Sequence, residues 1–404
     1  MKRRRFVLAP LLMLVLLMTL TMTMNAENLP PVEDRDPYSS YQPAFPGQTR
    51  APGMKTQTPY DIRVLSHDLA RPWAVSVLPD GRLIISEKRG TMRIYSEEGG
   101  LSSPIEGFLP VAYDGQGGLL DLVPAPDFET SRQLYFSFSR PVDGIAVTAL
   151  GRARLAEDES SLTDAELLFE ALPAVYGAGH FGSRIAFVDN DTLFLSTGDR
   201  QHDYSHLHPH DKASGLGKIL RMDRDGNPLP DNPFIDDSGA MPQLYSMGHR
   251  NVQGMAIHPV TGELYAGEMG PLGGDEINLI KPGRNYGWPI ITYGLEYSYD
   301  RVLEGITQKE GLEQPIYYWD PTPAISGMDF YAADAIPEWH NNLFIGGLAG
   351  NHVVRLRLDG DRVTGEERLL ADQGQRFRDV AASPDGYLYL VTDEGRLYQL
   401  GPAK

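Results

Sequence analysis

Trp73-Ala74-Val75-Ser76-Val77-Leu78, then Pro79-Asp80-Gly81, then Arg82-Leu83-Ile84-Ile85-Ser86, reads as an apolar strand, a tight turn and a second apolar strand. Proline presets φ in such a turn and glycine accepts positive φ, so the two runs fold back on each other. The theme returns as Leu119 to Val123, Pro126-Asp127 and Gln133 to Phe138, and as Arg184 to Val188, Asp189-Asn190-Asp191 and Thr192 to Ser196. It returns again as Gly254 to His258, Pro259 to Gly262 and Glu263 to Ala266; as Gly327 to Tyr331 with Asn342 to Gly346 after an insert; and as Asp379 to Ala382, Pro384-Asp385-Gly386 and Tyr387 to Val391. Copies spaced by roughly 45–75 residues that cannot bury both faces alone must stack on their neighbours. Closing six such four-stranded sheets about an axis predicts an all-β fold, a six-bladed β-propeller. A two-sheet sandwich does not explain the recurrence. Tyr60 to Leu65 has no local partner and Gly395 to Leu400 ends the chain as a strand, so pairing the two would close the ring without a free edge. Leu162 to Leu172 is the best of few helix-forming stretches.

The rest of the chain is organised around that domain, assigned to residues 59–404. Lys2 to Arg5, an apolar run from Phe6 to about Met24 and Asn25-Ala26 have the layout of an export signal, residues 1–26. An uncleaved membrane anchor is the alternative. Residues 27–58, rich in Pro, Asp, Ser, Gln and Gly, read as a linker or a surface arm. The signal implies a periplasmic or secreted protein, with membrane attachment only if it stays uncleaved. The absence of cysteine requires a large core to hold the exported fold without disulfides. Formal charge is -18, and -22 once the four basic leader residues are removed, which argues against nucleic acid or anionic lipid as partner.

Propeller loops at one mouth converge on the axis, so Gln116, His180, Arg250, Gly270 and Arg378 can meet there. His180 lies in Gly177-Ala178-Gly179-His180-Phe181-Gly182, where no adjacent side chain can bury it and acid–base work is open to it. Read alone, it is more simply a turn histidine bonded to a nearby carbonyl. His202, His206, His208 and His210, with Asp203 and Asp211, crowd one loop; clustered imidazoles can bind zinc or copper, but the spacing matches no defined site and a solvated lid is the simpler reading.

Pro72-Trp73-Ala74, Gly115 to Asp121, Gly179-His180-Phe181-Gly182, Gly217 to Arg221, His249 to Gly254, Glu268 to Pro271, Gly274 to Asn278, Asn285 to Pro289 and Arg376 to Val380 follow in an order that resembles the soluble aldose sugar dehydrogenases using pyrroloquinoline quinone (PQQ), a branch of the glucose/sorbosone dehydrogenase family. The resemblance runs from about Tyr60 to Leu400. It implies PQQ in the central mouth with Ca2+ against it, and oxidation of aldose sugars at the anomeric carbon to lactones. By the same resemblance His180 is the general base for the anomeric hydroxyl while hydride passes to the quinone, and Arg250 helps hold the reduced form's charge. Arg250, Arg376 and Arg378 suit the cofactor's carboxylates, since guanidinium pairs bidentately with carboxylate; each could instead be a rim ion pair. Gln116 and Asn251 would supply neutral hydrogen bonds, or else cap loop backbone. The cofactor's calcium maps to the carbonyls of Gly270 and Pro271, and a second, structural calcium to Glu276 and the Tyr286 carbonyl. Trp288, Trp319, Tyr293 and Tyr297 are stacking faces for a sugar or blade packing.

Three positions depart from the family pattern: Ala349 where relatives carry Lys or Arg, Gly179 just before the histidine, and Met269 just before Gly-Pro. The electron acceptor, a small redox protein or a membrane quinone, is not visible, and monomer and homodimer both stay open. Two other functions fit a propeller: a calcium-dependent sugar-lactone hydrolase, and a non-catalytic ligand-binding module.

Overall fold

The computed structural model describes residues 29–177, 179–201 and 207–403. The export signal lies outside them. Six four-stranded antiparallel sheets stand around a common axis as the blades of a β-propeller. Five are meanders in chain order, running from Pro72 to Leu101, Leu119 to Glu170, Gly182 to Met247, Val252 to Trp319 and Ile325 to Leu369. The sixth takes three strands from Phe377 to Pro402 and its outermost strand from Tyr60–Ser66. The latter pairs antiparallel with Leu397–Pro402, Ile62 opposite Leu400, so the ring closes as expected and neither end leaves an open seam.

Burial follows position within a blade. In five blades every residue of the second strand is buried: Leu83–Glu87, Thr192–Thr197, Leu264–Glu268, Asn342–Gly347 and Leu388–Thr392. Both faces of these strands are covered by adjoining blades, so they read as continuous apolar runs rather than alternating ones. The outermost strand Tyr60–Ser66 is largely exposed. Between blades five and six, Tyr331, Trp339 and Phe344 pack on Leu388, Leu390 and Tyr398. The Pro-Asp-Gly turns behave as their residues dictate. Gly81 and Gly386 have φ of 84° and 93° and donate N–H to Leu78 and Ser383 carbonyls at 2.9 and 3.1 Å.

The stretch expected to be helical is a strand. Leu162–Glu170 forms the outer edge of blade two, paired with Ile145–Leu155. Its helix propensity is outweighed by the row of unpaired backbone groups that the neighbouring strand offers it. Among the described residues the α-helix is confined to Phe128–Ser131, in the turn after Pro126-Asp127.

Residues 29–58 run as an arm without strands of their own, across blades four and five. Asp320 accepts from the Tyr38 and Ser39 N–H groups at 2.9 and 3.0 Å, Tyr317 Oη from Ala51 N–H at 2.9 Å, and Glu367 from Thr56 N–H at 2.8 Å. Within the arm, Gln48 and Ala51 are themselves buried.

One cation ties the first strands together. Arg184, on blade three, pairs with Asp121 of blade two at 3.0 Å and Asp379 of blade six at 3.1 Å, donates to the Gln253 carbonyl of blade four at 3.0 Å, and lies 4.5 Å from the Trp73 ring centre of blade one. Asp121 and Asp379 also accept the Ile185 and Val75 N–H groups, at 2.7 and 2.9 Å.

Candidate active site

The channel opens differently at its two ends. Where the first strands begin and the second strands finish, a cavity of about 380 Å³ is lined by Trp73, Lys88, Gln116, Tyr297, Arg376 and Arg378 among others. At the opposite end, a wider cavity of about 860 Å³ lies among the turns joining first and second strands. Its deep charges are Arg184, Asp121 and Asp379, neutralised by one another and by backbone amides, and Asp329, whose oxygens accept the Phe330 and Ala382 N–H groups at 2.8 and 2.9 Å. The smaller mouth is therefore the chemical end.

His180 stands at that end on a backbone of φ +50°, held by its N–H to Gln116 Oε1 at 2.9 Å. It is not open as its glycine neighbours suggest, for only 5% of it is exposed. Residues remote in sequence cover it. Nδ1 lies 2.6 Å from Asp199 Oδ1, while Asp199 Oδ2 accepts Trp288 Nε1–H at 2.7 Å and Oδ1 also accepts Gln201 N–H at 2.7 Å. A carboxylate only accepts, so Nδ1 carries the proton and Nε2 presents its lone pair. Burial, then Arg250, lowers the His180 pKa below its ordinary value, outweighing the Asp199 charge. Burial works to raise the Asp199 pKa, but His180 and Arg250 hold it below the usual carboxylate value. The pair rests as neutral imidazole beside ionised carboxylate.

Arg200 shapes the turn that carries the histidine. Its guanidinium binds the carbonyls of Gly177 and Gly179, lies 3.5 Å from the Phe181 ring centre, and its N–H donates to His180 O at 3.2 Å. A Cβ at Gly179 would come 2.6 Å from Gln201 Oε1, the end of an exposed, flexible side chain that can move aside, so sterics alone do not demand glycine there. Asp199 and Arg200 were not read from the sequence. Their signal was register, because they follow the second strand of blade three at its mouth end.

The other expected residues divide. Gln116, Arg376 and Arg378 line the mouth. The two arginines share Asp393, with Nε–O distances of 2.9 Å each, and Arg378 also donates to Gln253 Oε1 at 3.0 Å. Burial tends to raise the Asp393 pKa, but Arg378 and Arg376 outweigh it. Asn251 is fully buried. Its Oδ1 accepts Gly182 N–H at 3.0 Å and its amide nitrogen is 3.6 Å from the Met269 sulfur, so it braces the histidine turn rather than facing the mouth. Arg250 lies 5.1 Å from the Trp288 ring centre and donates to the Met269 and Gly270 carbonyls at 3.0 and 2.6 Å. The Gly270 carbonyl thus carries one guanidinium hydrogen bond and keeps a second lone pair, so Gly270 and Pro271 retain oxygens that a cation could use.

Glu276 fits a cation better. It faces Glu268 across the strand pair, and Glu268 is compensated by His249 Nδ1 at 3.0 Å and the Arg250 N–H, whereas Glu276 has only Asn278 Nδ2 at 3.4 Å. Burial, then Glu268, raises the Glu276 pKa well above its ordinary value, and Asn278 Oδ1 is buried without a hydrogen-bond partner. Tyr286 lines the same small cavity. No cluster of three or more His, Asp or Glu ligands occurs among the described residues, so a metal here would depend on backbone carbonyls as well.

Of the four aromatic candidates, Trp288, Trp319 and Tyr293 are buried and Tyr297 is 64% exposed at the mouth. Ala349 is exposed, its N–H donating to Pro323 O at 2.9 Å, and extends no cation. In the histidine-rich loop, His202, Asp203 and His206 lie outside the described residues. Beyond them Pro209 is buried, His210 meets Asn285 at 2.9 Å, and the buried Lys218 donates to the carbonyls of His208, Pro209 and Leu216 at 2.8, 3.1 and 2.6 Å.

Residues 69–399 match the Glucose / Sorbosone dehydrogenase family. The chain belongs to that family. It is 42% identical over 347 residues to aldose sugar dehydrogenase YliI of Escherichia coli, covering 85% of this chain and 93% of that protein. The apo crystal structure of the E. coli soluble aldose sugar dehydrogenase superposes with a TM-score of 0.82 at 41% identity, over 85% of this chain and 100% of that one. The PQQ-bound aldose sugar dehydrogenase of Streptomyces coelicolor gives 0.71 at 28% identity, over 86% and 99%. The family match thus runs through all six blades and leaves out the closing strand Tyr60–Ser66.

Proposed function

We propose that this glucose/sorbosone dehydrogenase oxidises aldose sugars at the anomeric carbon to lactones, with PQQ as acceptor. The observation that carries the reading is the Asp199-held His180 imidazole beside a mouth lined by guanidinium groups. Arg376 and Arg378, with Gln116, would hold the cofactor's carboxylates and oxygens. When bound, the quinone supplies the acceptor for the hydride that leaves the anomeric carbon. His180 Nε2 takes the proton of the anomeric hydroxyl, and Asp199 stabilises the imidazolium so formed. Trp288 and Gln201 hold Asp199 in place, and Arg250 adds positive charge near the reacting groups. The carbonyls of Gly270 and Pro271 would hold the cofactor's calcium, which would supply Lewis-acid polarisation, and Glu276 with the Tyr286 carbonyl would hold a structural ion.

The lactone-hydrolase alternative needs several carboxylates free to grip an axial ion, whereas Asp121 and Asp379 are taken by Arg184 and Asp329 accepts two backbone N–H groups. The leader supports export to the periplasm, and no helix among the described residues is long and apolar enough to cross a membrane. The test is dye reduction by the mature protein with a panel of aldoses, with and without PQQ, beside His180→Ala. PQQ-dependent turnover lost in the variant supports the reading; a wild type that binds no PQQ and reduces no dye refutes it and leaves a ligand-binding propeller.

A further inference from the structure

In four blades the residue one place beyond the second strand lines the mouth: Lys88, Met269, Leu348 and Asp393. In blade six that residue is the acid that Arg376 and Arg378 share, so one negative charge already lies between those two cations. Lys88, in blade one, has no such partner. Its Nζ makes one hydrogen bond, 3.3 Å to the Gly115 carbonyl, and lies 5.8 Å from the Tyr113 ring centre. The neighbouring acid, Glu87, is committed to the Ala70 N–H and the Thr91 hydroxyl, each at 2.7 Å. Two of the three ammonium protons therefore have no acceptor among the described residues.

The stem of Lys88 is held firmly. Its N–H donates to Arg71 O at 3.1 Å and its carbonyl accepts Leu119 N–H at 2.9 Å, which fixes its Cα between blades one and two. Burial, then Arg378, lowers its pKa to about 8, with Asp393 opposing and Arg71 adding to the effect. A half-buried cation that faces other cations across a cavity is relieved by an anion entering that cavity.

We propose that Lys88 is a ligand-binding residue of the mouth, its ammonium receiving a carboxylate of the bound quinone, a cationic contact that Ala349 cannot make. This rests on the PQQ reading above. A carboxylate could also arrive on an acidic sugar, and the experiment separates the two sources. Equilibrium dialysis of the apo-protein against PQQ, read by quinone absorbance, is run on wild type, K88M, K88R and the surface control K55M. K88M is expected to weaken PQQ binding about 10–100-fold, the loss of one charge-assisted hydrogen bond. K88R, which keeps the charge, recovers most of the affinity, and K55M leaves it unchanged. Unchanged thermal unfolding of apo K88M separates this from loss of fold. K88M that binds PQQ as wild type does overturns the proposal, and a KM change confined to uronic acids would then assign Lys88 to substrate. If the wild type binds no PQQ, the functional reading falls and this proposal falls with it.

Discussion

Both ends of the channel hold arginine and aspartate, yet they are wired in opposite ways. At the wide end, Arg184 meets two carboxylates, a carbonyl and a tryptophan face, and those carboxylates spend their remaining oxygens on backbone amides. At the narrow end, Arg376 and Arg378 share one carboxylate, Lys88 has none, and His180 keeps a nitrogen with no bond to any described group. Neutralised charge locks blades together. Charge left in surplus is available to a ligand, and the fold separates the two tasks by depth, the neutralised cluster lying further along the first strands than the mouth cations.

The sharpest way to break the comparison is at Asp199. Asp199→Asn preserves size but loses the anion that fixes the His180 tautomer, and turnover is expected to fall about 10²–10⁴-fold with the thermal transition little changed; steady-state kinetics beside thermal unfolding would check it. At the other end, Arg184→Met strands two buried carboxylates and is expected to cost about 3–5 kcal/mol of stability, read from denaturant unfolding, while activity per folded molecule holds. If R184M instead abolished activity without unfolding, the division of labour would be wrong.

Smaller effects sharpen it. Because the His180 pKa lies below its ordinary 6.5 and the base must be neutral, kcat/KM is expected to rise with pH through a point under 6.5 and stay level at neutral pH. Arg250→Met removes one cause of that lowering and should move the inflection toward higher pH. The least effect is expected at Glu276. Its folded pKa is raised, so its contribution to stability is present below its unfolded pKa and is lost as pH rises through the folded pKa. Without calcium at pH 7, Glu276→Gln should therefore stabilise by about 1 kcal/mol and abolish any stabilisation by added calcium.

Blade count, the strand pairs and the closing role of Tyr60–Ser66 were legible because each rests on local apolar runs and turn residues. Leu162–Glu170 was not, since an open neighbouring strand, not its own propensity, made it a strand. His180 stood out by its glycines, yet its environment was misjudged, because Asp199 meets it across the blade-three hairpin and Trp288 and Arg250 come from the adjoining blade. Asn251, read as a cofactor ligand, is here held against the histidine turn by Gly182 of the neighbouring blade, a contact that local sequence does not display.

By itself, the sequence determined the repeated hairpin and therefore the propeller: strand period and turn chemistry are properties of adjacent residues. The tertiary structure alone decided which charges cancel. Arg184 with Asp379, Gln116 with His180 and Asp199 with Trp288 are partners far apart in the chain, and an ion pair or hydrogen bond exists only at the few ångströms that ring closure brings about.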